Sequence, residues 1–305
     1  MTKNLGHLST DVGAVALHCA VMTASGTAGY GDELADYGDL SELGALVTKS
    51  LSVDPWAGNA APRVTEVDAG MLNSVGLQGP GIAAWLEGGL PAAQRRGARV
   101  VASIWGTSVA SYGAAAQALS GQDLLAIEIN VSCPNVEDRS SMFGHSAEQT
   151  ARVVEACKGS LPIWVKLSPN VADLVGIARA AVEAGADALV CTNTLLGMAL
   201  HPETGLPVLG NGGGGLSGPS VHPVAVRAVY ECRKALPSTP IIGAGGVNSG
   251  KTALEFLHAG AQAVQVGTAS FRDPRAPWKV AADLNNALRR AGHASVRDAI
   301  GRAHR

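Results

Sequence analysis

Cys133 stands between Ser132 and Pro134 in the run Asn130-Val131-Ser132-Cys133-Pro134-Asn135, a polar stretch that follows an apolar one. A thiolate in such a loop can act on a bound ligand as a nucleophile or as a base. No Cys-His-Asn protease setting accompanies it, which favours the base. The other four cysteines, Cys19, Cys157, Cys191 and Cys232, fall within strand-like or helix-like patterns and read as small core residues. Five scattered thiols without a C-x-x-C pair argue against a disulfide framework and against a zinc or iron–sulfur site. No metal is expected, and a reducing, cytoplasmic setting fits best.

Two lysines pose a second chemical question. Lys166 lies in Ile163-Trp164-Val165-Lys166-Leu167, which reads as a buried strand. A bare ammonium is very costly to bury. It must therefore snorkel to the rim, pair with a neighbour such as Glu128, or face negative charge on a ligand. Lys49 raises the same alternatives. Two glycine turns, Gly243-Ala244-Gly245-Gly246-Val247 and Val266-Gly267-Thr268-Ala269, offer backbone N–H groups of the kind that cradle phosphate, although a tight turn alone also needs glycine. The run 210–215 matches G-x-G-x-x-G in form. No strand is expected before it, so it reads as a flexible loop leading to Gly215-Leu216-Ser217-Gly218-Pro219 rather than as a dinucleotide fingerprint.

These residues need elements to position them. Short apolar runs, each followed by a helix-like stretch, recur at Val15–Met22, Ala45–Lys49, Arg99–Ile104, Leu125–Val131, Ile163–Leu167, Ala188–Thr192, Ile241–Gly243 and Ala263–Val266. Runs of Val, Ile and Leu without strict alternation suit parallel strands covered on both faces. Gly-Ala precedes four of them, at Gly44, Gly97, Gly185 and Gly260, where glycine can end a helix in the left-handed conformation. Eight βα units imply an α/β protein with a (β/α)8 barrel, an open doubly wound sheet being the alternative. A barrel places functional residues just past the C-terminal strand ends. Polar clusters do follow these runs, at Thr23-Ala24-Ser25-Gly26, Lys49-Ser50, Asn130 to Asn135, Thr192-Asn193-Thr194, Gly245-Gly246 and Gly267-Thr268.

The bulk numbers agree with one domain spanning 1–305. The chain is 47% apolar and 16% charged, enough to bury an ordinary core, and its net charge of -2 gives no sign of a nucleic-acid or membrane partner. Residues 1–10 hold no long apolar segment, so neither a signal peptide nor an anchor is expected. Asn130-Val131-Ser132 matches the glycosylation triplet, which carries no meaning without secretion.

Several segments, in order, resemble the class 1 dihydroorotate dehydrogenases: Ala24-Ser25-Gly26, Thr48-Lys49-Ser50, Asn73-Ser74-Val75-Gly76-Leu77-Gln78, Asn130-Val131-Ser132-Cys133-Pro134-Asn135, Val165-Lys166-Leu167-Ser168-Pro169-Asn170, Thr192-Asn193-Thr194-Leu195-Leu196-Gly197-Met198, Gly214-Gly215-Leu216-Ser217-Gly218-Pro219 and the two glycine turns. The resemblance implies a TIM barrel with FMN at its C-terminal mouth. It implies FMN phosphate at Gly245, Gly246, Gly267 and Thr268, and flavin or ribityl contacts from Ser25, Lys49, Ser50, Ser103, Asn130, Lys166, Thr192 and Gly218. Substrate would be held by Asn73, Ser74, Val75, Gly76, Leu77, Asn130, Asn135, Asn193 and Thr194. Cys133 would take the C5 proton of dihydroorotate while hydride passes from C6 to the flavin.

Leu77-Gln78 followed by Pro80-Gly81 looks more like the B type than the A type. B-type chains pair with a second subunit that carries FAD and a 2Fe-2S cluster, so the resemblance implies a homodimer joined to an iron–sulfur flavoprotein. Three departures from the family's pattern stand out. Ser103 replaces a usual flavin-contacting asparagine, Gly79 replaces an asparagine, and Glu137-Asp138 replaces a basic or glycine-rich stretch. Two alternatives stay open: another dihydropyrimidine such as dihydrouracil as substrate, or a non-catalytic flavin-binding subunit.

Overall fold

Which side chains face inward is decided by strand register, and register here is set by a ring of parallel strands. The computed structural model describes residues 6–131 and 143–305, so Cys133, Asn135 and Glu137-Asp138 lie outside the described residues. The strands are β1 (Thr10–Val12), β2 (Val15–Leu17), β3 (Val21–Thr23), β4 (Leu46–Val47), β5 (Val64–Val67), β6 (Gly70–Asn73), β7 (Val100–Ile104), β8 (Ala126–Asn130), β9 (Ile163–Lys166), β10 (Ala188–Cys191), β11 (Leu195–Gly197), β12 (Gly214–Ser217), β13 (Ile241–Ala244) and β14 (Ala263–Val266). Eight of them pair in parallel in the order β3-β14-β13-β10-β9-β8-β7-β4. This is the expected (β/α)8 barrel.

The ring closes between β3 and β4. Gly44 N–H donates to Val21 C=O at 2.9 Å and Thr23 N–H to Ala45 C=O at 3.2 Å. The buried Thr23 hydroxyl completes the seam, accepting from Val47 N–H at 2.8 Å and donating to Val47 C=O at 3.2 Å. A side chain thus stands in for a missing ladder bond. Thr23→Val would leave a buried N–H and C=O unpaired, so it should destabilise the fold by about 1–3 kcal/mol, read as a lowered urea midpoint at unchanged slope.

Side chains alternate cleanly across the wall. Ala126, Trp164, Ala188, Val190, Ile242 and Ala263 pack together inside the barrel. Their neighbours Ile127, Ile129, Val165, Leu189, Ile241 and Val264 join the larger core beneath the helices. Those helices begin where the sequence supplies caps. Ser108 and Ser249 make capping boxes at Val109–Ala118 and Gly250–Ala259, and Asp173 caps Leu174–Glu183. Gly97, Gly185 and Gly260 are left-handed, as expected of helix-ending glycines. Gly44 is not; a β-carbon there would collide with the Cys19 carbonyl oxygen, so close backbone approach is its reason.

Two expectations are corrected. The run Val15–Met22 is not one strand. β2 pairs antiparallel with β1 around a turn at Gly13 (φ 61°), and only β3 enters the barrel. The hairpin inserts Val12, Val15 and Leu17 against Met22, Ala45 and Trp164, closing the inner core. Both halves bury apolar residues, so hydrophobicity alone hides the break. The second correction concerns the glycine run 210–215, whose last two residues begin β12. That strand belongs to an antiparallel sheet of order β11-β12-β6-β5. A β-carbon on Gly214 would strike the Asn73 carbonyl oxygen, and one on Gly215 the Thr194 hydroxyl. Glycine there permits close pairing rather than flexibility.

Candidate active site

Among the described residues, the inner face of the barrel turns polar at inward positions toward the C-terminal strand ends. Lys49 follows β4, Ser103 lies on β7, Glu128 and Asn130 on β8, Lys166 on β9, Thr192 follows β10 and Gln265 lies on β14. Lys49, Asn130, Lys166, Thr192 and Gln265 reach a cavity at this end of the barrel. The antiparallel sheet supplies one wall of it through Val64, Met71, Asn73 and Ser217. Two insertions, one after β4 and one after β10, therefore meet over the mouth, with Gly215 paired to Asn73.

A chain of hydrogen bonds fixes the amides. Ser103 Oγ and Ser50 Oγ are 2.9 Å apart, and Asn130 Nδ2 donates to Ser50 Oγ at 3.2 Å. Asn193 Nδ2 donates to Asn130 Oδ1 at 3.1 Å, and Thr194 N–H donates to Asn193 Oδ1 at 2.8 Å. Asn73 Nδ2 donates to the Gly215 carbonyl at 3.3 Å, and Tyr112 holds the Asn130 carbonyl at 2.8 Å. Asn170 accepts from Leu196 N–H and donates to the Thr194 carbonyl, tying β11 to the loop after β9.

The glycine turns close the cavity beside β13 and β14. Gly245 and Gly246 have φ of 136° and 66°. A β-carbon on Gly245 would lie 2.7 Å from Ala225 Cβ, and one on Gly246 2.7 Å from His222 Cβ, so no larger residue fits either place. His222 braces the turn, its Nδ1 2.9 Å from the Gly245 carbonyl and its Nε2 3.1 Å from Glu255 Oε2. Thr268 Oγ1 donates to Ser217 Oγ at 2.8 Å, joining the second turn to the sheet.

The cavity collects most of the residues singled out from the sequence. Ser25, Lys49, Ser50, Asn130, Lys166 and Thr192 line it, with Gly218, Gly245, Gly246, Gly267 and Thr268. So do Asn73, Val75, Gly76, Leu77, Asn193 and Thr194. Ser103 and Ser74 stand one layer behind: both are fully buried, Ser103 against Ser50 and Ser74 accepting from Asn59 Nδ2 at 2.9 Å. Sequence reasoning missed Gln265, Thr27, Met71, Val64 and Phe271, which also line the cavity. For Gln265 a signal existed: a lone amide at an inward position of an otherwise apolar strand.

Thiol chemistry among the described residues is confined to the core. Burial pushes Cys19 up to about 11 and Cys157 up to about 12. Cys191 is raised by donating its thiol hydrogen to Cys232 and then by burial. Lys49 differs. Burial, and then the neighbouring Arg63 guanidinium, hold it below the ordinary lysine value of 10.5. Between that lowered value and 10.5 the folded chain binds fewer protons than the unfolded one, so this lysine makes stability rise with pH across the window. Its positive charge is lost there as well. Affinity for a carboxylate or phosphate ligand should therefore fall at a lower pH than an ordinary lysine would give, and Lys49→Arg should abolish that early fall in an equilibrium titration across the alkaline range.

Fold and mouth together define a (β/α)8-barrel protein whose ligand cavity is walled by amides, two lysines and paired glycine turns at the strand C-termini. The family model for dihydroorotate dehydrogenase matches residues 7–288, and the chain belongs to that family. Similar proteins include one from Geobacter sp. strain M21, 46% identical over 96% of this chain and 97% of its own length. Another, from Desulforudis audaxviator, is 46% identical over 96% of each chain. A third, from Bacillus pumilus, is 44% identical over 97% of this chain and 96% of its own. All three are named dihydroorotate dehydrogenase B (NAD(+)), catalytic subunit.

Proposed function

We propose that this chain oxidises dihydroorotate to orotate in pyrimidine synthesis, with FMN in the barrel mouth and Cys133 as the base. One observation carries the reading: a single cavity joins the glycine turns after β13 and β14 to the buried Lys166 and to the amides Asn73, Asn130 and Asn193. The residues present fit the cofactor. The turn at Gly245 and Gly246 has no room for β-carbons and is braced by His222, which suits a fixed phosphate cradle. Lys166 is 4% exposed and donates to Ser25 Oγ at 3.1 Å, a fixed cation on the cavity lining that would suit an anionic reduced ring.

When bound, FMN accepts the two electrons and the hydrogen that leave C6 of the substrate. The chain does the rest. Lys166, which lines the cavity, would supply positive charge to stabilise the negative charge that a bound flavin gains on reduction. The linked amides of Asn130 and Asn193 offer paired donors and acceptors to the urea-like edge of a pyrimidine. Ser103 and Ser50 hold Asn130 in register, so Ser103 acts on the mouth through Ser50. Cys133 receives the C5 proton; Asn130, three residues before it in sequence, lines the cavity.

The names of the relatives support a partner subunit as well. On this reading a homodimer works with an iron–sulfur flavoprotein subunit that holds FAD and a 2Fe-2S cluster, in the cytoplasm. Among the described residues no helix is long and apolar enough to cross a membrane, and four cysteines are free thiols. The test is anaerobic. The purified protein should be yellow with bound FMN, and dihydroorotate should bleach it while dihydrouracil leaves it oxidised. A colourless protein without affinity for FMN overturns the proposal, as does a flavin spectrum that ignores dihydroorotate.

A further inference from the structure

Glu128 is the only buried carboxylate among the described residues, with no exposure at all, and the mechanism above makes no use of it. On β8 it shares the inward face with Ala126 and Asn130, two residues below the amide that lines the cavity. Its Oε2 accepts from Gln265 Nε2 at 2.6 Å. The same amide turns its Oε1 toward Lys166, whose ammonium donates to it at 3.3 Å. Glu128 Oε1 lies 3.7 Å from Lys166 Nζ and has no hydrogen-bond partner. Three strands, β8, β14 and β9, thus contribute a carboxylate, an amide and an ammonium in that order.

The amide orientation is over-determined. Reversing Gln265 would set its carbonyl against a carboxylate and its NH2 against an ammonium. Both contacts therefore select the same orientation, and it is the one that links an acceptor to a donor. A carboxylate hydrogen-bonded directly to Lys166 would use up the lysine's donors beneath the mouth. Placed one amide away, it still supplies counter-charge inside a low-dielectric barrel, where Coulomb attraction is far stronger than in water.

We infer that Glu128 and Gln265 are positioning residues that keep the Lys166 ammonium charged and aimed into the mouth before any negative charge arrives on the ligand. The inference rests on FMN being that ligand. Two-electron reduction then needs only one proton on the flavin, because the cation that balances its remaining negative charge is already in place. Without Glu128, burial disfavours the ammonium. No buried counter-charge is then set under the mouth in advance, and a second proton from solvent accompanies the electrons. Among the described residues, the other titratable side chain lining the cavity near this group is Lys49.

The experiment is a mediated, anaerobic spectroelectrochemical titration of the FMN-loaded protein at several pH values, which counts protons per two electrons. For a two-electron couple each proton adds about 30 mV per pH unit. The native protein should give about 30 mV per pH unit, and Glu128→Gln about 60, one proton more. Glu128→Asp, which retains the charge, should return toward the native slope. A native slope in Glu128→Gln overturns the inference, and so does a Glu128→Asp protein that behaves like Glu128→Gln. If Glu128→Gln fails to fold, Glu128→Met provides the second arm. It removes the carboxylate and keeps the bulk, so it must steepen the slope, and an unchanged slope there also overturns the inference. A native protein that binds no FMN refutes the proposed function instead, which keeps the two failures distinct.

Discussion

Cys133→Ala should leave FMN bound and slow flavin reduction by dihydroorotate by about 10²–10⁴-fold, since that is what a positioned base typically contributes. The size of the loss depends on whether another group can take over. The four described cysteines cannot: each is buried in the core, and Cys19 and Cys157 are pushed up to about 11 and about 12. Among the described residues, the ionisable side chains around the cavity are Lys49 and Lys166, and a lysine that carries positive charge has no lone pair to offer a proton. Among the described residues none can substitute, and water does so without orientation. Single-turnover stopped-flow reduction reads the step directly, with the flavin as its own indicator. If bleaching in Cys133→Ala keeps the native rate, Cys133 is not the base. A decrease in rate with unchanged flavin content locates the effect in the proton transfer rather than in cofactor binding.

Much of this arrangement could be read from residues alone, for a physical reason. Parallel strands buried on both faces leave unbroken apolar runs, and polar residues at their ends are costly unless a ligand or a partner meets them. That is why Asn130, Lys166 and Thr192 stood out and why they line one cavity. The hairpin of β1 and β2 was hidden because a strand that plugs a barrel is as apolar as one that forms it. The sheet over the mouth was hidden for the opposite reason. Its strands are short and weakly patterned: Val-Thr-Glu-Val at β5 is partly exposed, and Gly-Gly-Leu-Ser at β12 is half glycine. Their pairing joins residues far apart in the chain, Gly215 with Asn73, which no local pattern encodes. The same holds for Glu128 and Lys166. The sequence reading posed their pairing and a ligand contact as rival explanations. The structure joins them instead, with Gln265 as the link neither explanation contained.

That link leads to the second large effect, which needs no cofactor to be seen. Lys166→Met removes the cation and leaves Glu128 buried with only the Gln265 amide as a partner. Removing one member of a buried ion pair typically costs about 3–5 kcal/mol, because the surviving charge has lost both its solvent and its counter-ion. The spacing of 3.7 Å and the intervening amide put the expected loss near the lower end, about 3 kcal/mol, in urea unfolding of the FMN-free protein. The double variant Lys166→Met/Glu128→Gln should recover most of it, since no unpaired charge remains and the new amide can still accept from Gln265. A buried pair replaced on both sides is often close to neutral for stability, whereas a half-broken one is not. Strict additivity of the two single changes would mean that the carboxylate and the ammonium act independently. Recovery in the double variant would mean that the buried carboxylate of Glu128 holds a cation under the mouth, a charge that serves the ligand rather than the fold.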